Sequence, residues 1–107
     1  MNGNELISFQ IISAVGTARS MYVEAIQEAK KGNIQAAKQL IEDGVKVFVD
    51  GHHAHASLIQ KEAAGEKSEF SLLLMHAEDQ LMSAETIKVM ALEIIRLNER
   101  VKALEKY

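Results

Sequence analysis

His76, Asp79, Gln80 and Ser83 interrupt an otherwise apolar stretch that runs from Leu72 to Ser83. On a helix, side chains three and four residues apart share a face. His76 therefore lies beside both Asp79 and Gln80, with Ser83 one turn further on. Imidazole is a nucleophile near neutral pH, and the N-terminal part of a helix favours an anion, so a phosphohistidine suits His76. Gln80 and Ser83 can fix the ring tautomer or hold a phosphoryl oxygen. Asp79 would repel a phosphate, but a carboxylate makes sense facing an oligomer axis, where several copies are neutralised by a metal or by protons. On these residues alone, a buried His76–Asp79 pair is as good a reading as a catalytic one.

A second group is His52 and His55, three residues apart, with His53 pointing elsewhere. The pair could share a metal, but zinc needs two further ligands that the sequence does not name. Hydrogen-bonded histidines at a helix edge or an interface are the favoured reading. There is no phosphate-cradling glycine loop, no cysteine and no serine elbow, so those chemistries are set aside.

Helices must position these side chains. The 107 residues contain no proline, cysteine or tryptophan. Without proline nothing interrupts a long helix; without cysteine, disulfides and thiolate metal sites are excluded, as in a reducing compartment. A net charge of -3, with both signs mixed along the chain, argues against nucleic acid as a partner. No apolar run approaches the roughly 20 residues that span a bilayer, and Met1–Glu5 lacks the basic start of a signal peptide. A cytoplasmic protein of one domain, 1–107, with no membrane insertion is expected.

The first helix is expected from about Asn4 to Lys31, ended by Lys30-Lys31-Gly32. Its small-residue patch of Ala14, Gly16, Thr17 and Ala18 suggests close packing. Asn33 can cap a second helix, to about Ala64, with an inward stripe of Ile34, Ala37, Ile41, Val45, Phe48, His52, His55 and Ile59. Gly44 and Gly51 mark a bend or a tight contact in it. Ser68 or Ser71 can cap a third helix, from about Leu72 to Lys106. One seam of that helix continues from His76 through Ile87, Met90, Ile94, Leu97, Val101 and Leu104; a second carries Met75, Met82 and Val89, with Asp79 and Thr86 set into it. Met75, Met82 and Val89 either widen the intramolecular core or meet another subunit; the subunit is the favoured reading, because a three-helix chain has little surface to cover so broad a face. The connecting loops are short, and the fold class expected is all-α, an antiparallel up-down-up three-helix bundle.

At these residues the chain resembles the enzyme IIA component of the lactose/N,N'-diacetylchitobiose (cellobiose) class of the bacterial sugar phosphotransferase system. The family signature, approximately His-x-Gln-Asp-His-Leu-Met-Thr/Ser, stands here as His76-Ala77-Glu78-Asp79-Gln80-Leu81-Met82-Ser83. Gly16-Thr17-Ala18-Arg19-Ser20 is similar to the family's Gly-x-Ala-Arg-Ser, and Gly51-His52-His53-Ala54-His55 to its Ala-His-x-x-Gln. Gly65-Glu66 and Ala36-Ala37-Lys38 also match. The resemblance implies a homotrimer of three-helix subunits. It implies that His76 accepts a phosphoryl group, as a tele-phosphohistidine, from the histidine phosphocarrier protein and passes it to a cysteine of enzyme IIB during disaccharide uptake. It carries the metal-binding aspartate over to Asp79, one from each subunit at the trimer axis, with Mg2+ or a similar divalent ion.

The chain departs from the pattern at three places. The family's second motif histidine is Gln80, its glutamine before Asp79 is Glu78, and its glutamine on the second helix is His55. An exchange of roles is expected in which His55 and Gln80 face each other near His76, while Glu78 pairs with Arg19 or a lysine. Two other readings compete with the carrier. One is a non-catalytic helical adaptor whose His76–Asp79 pair only fixes register; the other is a metal-binding bundle using His52, His55, His76 and Asp79.

Overall fold

With no proline to break them, three long helices form, and a computed structural model describes residues 3–105. They are α1 (Gly3–Lys30), α2 (Ile34–Ala63) and α3 (Leu72–Leu104), with no strand among the described residues. The expected Lys106 end of α3 lies outside the described residues.

The ends follow local chemistry. Gly32 takes φ +87°, and its N–H donates to Ala29 O while Asn33 N–H reaches back to Glu28 O. Gly65, at φ +90°, repeats the arrangement after α2: Gly65 N–H donates to Glu62 O and Glu66 N–H to Lys61 O. Both are Schellman ends, where a left-handed residue turns the chain and satisfies carbonyls the helix leaves over. Asn33 stands at the α2 N-cap position but makes no side-chain cap; its amide donates to Glu28 Oε2 at 2.7 Å instead. Ser71 caps α3, its Oγ accepting the Leu74 N–H at 3.0 Å.

The core lies along one line of each helix. α1 contributes Ile11, Val15, Ala18, Tyr22, Ala25 and Ala29. α2 contributes Ile34, Ala37, Ile41 and Leu58 with Gly44 and Gly51. α3 contributes Leu74, Ala77, Leu81, Ala84, Ala91 and Ile95. The two α2 glycines explain why that helix is rolled from its expected stripe. A Cβ on Gly44 would stand 2.6 Å from Tyr22 Cε1, and one on Gly51 would stand 2.8 Å from Val15 Cγ1 and 3.5 Å from Ile11 O. α1 therefore reaches α2 at its glycines, and Val45, His52 and Ile59 turn to the exposed side. The close packing expected at Gly16 is absent, since a Cβ there would meet nothing within 4 Å. The intimate contacts sit across from it in sequence, at the glycines of α2.

α3 departs further from expectation. The first apolar stripe read from the sequence is not its buried line, and the second, expected against another subunit, is uncovered in the single chain. Met75, Met82, Val89, Met90, Leu97, Val101 and Leu104 are all exposed, while Ile87 and Ile94 are half-buried. The buried line is the smaller-residue one through Ala77, Ala84 and Ala91, because alanine lets neighbouring helices approach. Side-chain contacts also tie the helix ends. Asn4 donates to Glu69 O at 3.2 Å, Lys102 to Gly32 O at 2.8 Å, and Lys38 meets Glu99 at 3.2 Å.

Candidate functional site

Ser71 sets where α3 begins, and so where His76 falls. Ser71 Oγ takes the Leu74 N–H and Ser71 O takes the Met75 N–H. His76 is thus a full turn past the cap, where the field of the helix end is already weakened. Its imidazole is exposed. At about 100° per residue, Gln80 and Ser83 share its side of the helix, and both are half-buried. The three sequence-nominated groups are therefore together: an accessible ring with an amide and a hydroxyl beside it.

Asp79 is exposed and points away from the core, about 200° around the helix from both Ala77 and Leu81. It lies in an exposed seam of Leu72, Met75, Met82, Thr86, Met90, Leu97, Val101 and Leu104. Steps of three, four and seven keep these residues on one face of α3. Met75 and Met82, flanking Asp79, are each 58% exposed in the single chain. Among the described residues no three His, Asp or Glu side chains of one chain gather as a metal cluster. His52, His55, His76 and Asp79 are not brought to one site. A lone carboxylate in an apolar seam does fit a hard cation where symmetry repeats it, since oxygens are the donors such ions take.

The expected meeting of His55 and Gln80 does not occur within the chain. His55 Nδ1 instead stands 2.5 Å from Glu78 Oε2, across the α2–α3 boundary. The Nδ1 atom is buried and the contact is a close approach of the ring to the carboxylate rather than a linear N–H···O bond. Glu78 thus pairs with neither Arg19 nor a lysine. The reason is rotational: Glu78 and Gln80 are two residues apart and project from opposite flanks of α3. His52, expected at the buried side of α2 or at its edge, is exposed and stacks on Phe48, with ring centroids 6.4 Å apart and planes at 26°.

The pair lies in a groove of about 410 Å³ lined by Leu58, Ile59, Ser68, Phe70, Leu74 and Met75 as well as by Glu62. Glu78 and this groove were not nominated by the motif reading. The two-residue offset from His76 puts Glu78 on the opposite flank of α3, and the packing of α2 makes that the flank facing His55. Deeper in the bundle, burial and then the Glu85 carboxylate push the Tyr22 phenol above its ordinary value of 10.0.

The family model described as "PTS system, Lactose/Cellobiose specific IIA subunit" matches residues 6–99. The chain belongs to the lactose/cellobiose-specific IIA family of the sugar phosphotransferase system. It is 46% identical over 97 residues to the lichenan-specific phosphotransferase enzyme IIA component of Bacillus subtilis, covering 91% of this chain and 88% of that protein. It is 37% identical to the lactose-specific EIIA component of Streptococcus mutans, covering 94% and 98%. Among solved structures, the cellobiose-specific enzyme IIA of Bacillus anthracis superposes with a TM-score of 0.93 at 43% identity, covering 96% of this chain and 94% of that one. This IIA family member is therefore a phosphotransferase component with a role in sugar uptake. No described helix is long and apolar enough to cross a membrane.

Proposed function

We propose that this IIA chain is a cytoplasmic phosphoryl carrier that takes its group on His76 from the histidine phosphocarrier protein and gives it to a cysteine of enzyme IIB, for uptake of a β-linked disaccharide or related oligosaccharide. The observation that carries the reading is the accessible His76 ring flanked by Gln80 and Ser83 on a chain of this family. In the first step the Nε2 lone pair of neutral His76 attacks phosphorus. The new N–P bond forms as the P–N bond to the donor's imidazole breaks. In the second step the cysteine thiolate of enzyme IIB attacks the same phosphorus, and the P–N bond to His76 breaks. Each is an in-line displacement in which position, rather than covalent chemistry, supplies most of the acceleration. Gln80 and Ser83 hold the ring or a phosphoryl oxygen, and neither adds negative charge.

The same reading includes a homotrimer of up-down-up bundles, with the α3 seams at the threefold axis. Threefold symmetry makes the three α3 helices parallel and brings the three Asp79 carboxylates to one height. Those carboxylates would hold a divalent cation such as Mg2+, which neutralises their mutual repulsion at the axis. His76 is turned about 60° around α3 from Asp79, off that axis and toward Gln80, so the ring and the axial carboxylate point in different directions from one helix turn.

The test is incubation with phosphoenolpyruvate, the first enzyme of the system and the histidine phosphocarrier protein. An acid-labile, base-stable phosphate is expected on the wild-type chain and none on His76→Ala. An unlabelled wild type removes the carrier reading.

A further inference from the structure

α3 is held to its own bundle mainly along one line, Leu74, Ala77, Leu81 and Ala84. At the end that carries His76, a second fastening exists on the α2 flank. His55 Nδ1 is buried and stands 2.5 Å from Glu78 Oε2. The other ion pair joining α2 to α3, Lys38–Glu99, is at the far end, and its side chains are 45% and 41% exposed. An exposed pair of that kind holds geometry weakly.

The groove around His55 sets it against Glu78. Of the residues lining it, α3 supplies Glu78 with the apolar Leu74 and Met75, α2 supplies Glu62, Leu58 and Ile59 beside His55, and the 64–71 connection supplies the uncharged Ser68 and Phe70. His55 is the basic side chain among the described residues that line this groove. Its Nδ1 is the ring nitrogen set against the half-buried Glu78 carboxylate.

Glu78 is two residues from His76, on the opposite flank of the same rigid helix. A roll of α3 that moves one moves the other. For a side-chain tip about 6 Å from the helix axis, a roll of about 10° displaces it by about 1 Å. Misplacement on that scale is enough to slow a transfer that depends on alignment.

We infer that His55 and Glu78 form a positioning pair: they fix the roll of α3 and thereby the direction in which His76 presents its ring to the two partner proteins. The inference rests on the carrier reading of His76. Neither residue touches the reacting atoms within the chain; both act through the helix that carries them.

The experiment measures phosphoryl transfer from the phosphorylated histidine phosphocarrier protein to the intact chain. The carrier's concentration is varied, and melting temperature is recorded alongside. The variants are His55→Ala, Glu78→Ala, the double alanine variant, and the double variant His55→Gln with Glu78→Gln, whose two amides can hydrogen-bond across the same boundary. Each single alanine variant is expected to lose on the order of 10-fold in kcat with KM near wild type. The double alanine variant is expected to lose no more than either single one, because the two residues act as a unit. The glutamine pair is expected to recover to within about threefold of wild type.

Alanine variants that turn over like the wild type overturn the inference. So does a loss confined to KM, a loss that follows the melting temperature, or a glutamine pair as slow as the alanine variants. A wild type that takes no phosphate overturns the carrier reading and this inference with it. A labelled wild type beside unaltered variants overturns the inference alone.

Discussion

The inner and outer faces of α3 invert the usual distribution of side-chain size. Toward its own bundle the helix presents Ala77, Ala84 and Ala91 between Leu74, Leu81 and Ile95. Away from it stand Met75, Met82, Met90 and Leu97, all more than half exposed. Small residues inward allow the helices to close on one another; large flexible ones outward leave an apolar band with no cover in the single chain. A band of that length is the mark of an interaction surface. One helix is thus built for two kinds of packing, and the polar residues that carry function are those set between the two faces or into the outer one.

The comparison breaks most visibly if the outer face is charged. Met82→Asp combined with Leu97→Asp is expected to convert the proposed trimer to monomers while helix content by circular dichroism is kept. Sedimentation velocity reads the result, and an unchanged oligomer would refute the outer seam as the interface. On the inner face, Leu81→Ala should instead cost the fold itself about 2–5 kcal/mol, measured by urea denaturation, because its side chain is 2% exposed and leaves a cavity. Gly44→Ala tests the inner contact of α2 in the same assay. Its new methyl would press on the Tyr22 ring, and a loss of about 1–3 kcal/mol is expected.

Asp79→Leu sharpens the outer face from the other direction. It should keep the trimer or tighten it, and should abolish any effect of divalent cations on its dissociation. A variant that falls apart to monomers contradicts the axial placement. The smallest effect is set by Tyr22, whose phenol is pushed above its ordinary 10.0 in the folded chain. The unfolded chain therefore loses that proton first. The stabilising contribution is complete below about pH 10 and fades as pH rises beyond it. Tyr22→Phe should flatten the decline of stability above about pH 10, read by denaturation at each pH.

Much of this was legible in the residues. The lysine-glycine ends of α1, the glycine end of α2 and the Ser71 cap are local devices, and each acts within a few residues of itself. The His76, Gln80 and Ser83 grouping follows from helical spacing alone. Which apolar stripe of α3 turns inward did not follow, because several stripes satisfy the same periodicity. That choice depends on which face lets α1 and α2 come close. Gly16 and Gly44 illustrate the same limit. Both are helical glycines, but only the second has a neighbouring ring against its backbone, and the register between α1 and α2 decides that.

By itself, then, the sequence determined three long helices, their ends, the family, and a histidine with an amide and a hydroxyl beside it. Those are consequences of spacing and residue type along a single helix. Only the tertiary structure decided that Glu78 meets His55 rather than Arg19, and that Gln80 lies on the other flank. The physical reason is that a pairing between helices depends on the roll of each about its own axis. The close approach of α1 to Gly44 and Gly51 and the alanine line of α3 bring the helices to the roll at which His55 and Glu78 meet, and no local pattern specifies those contacts.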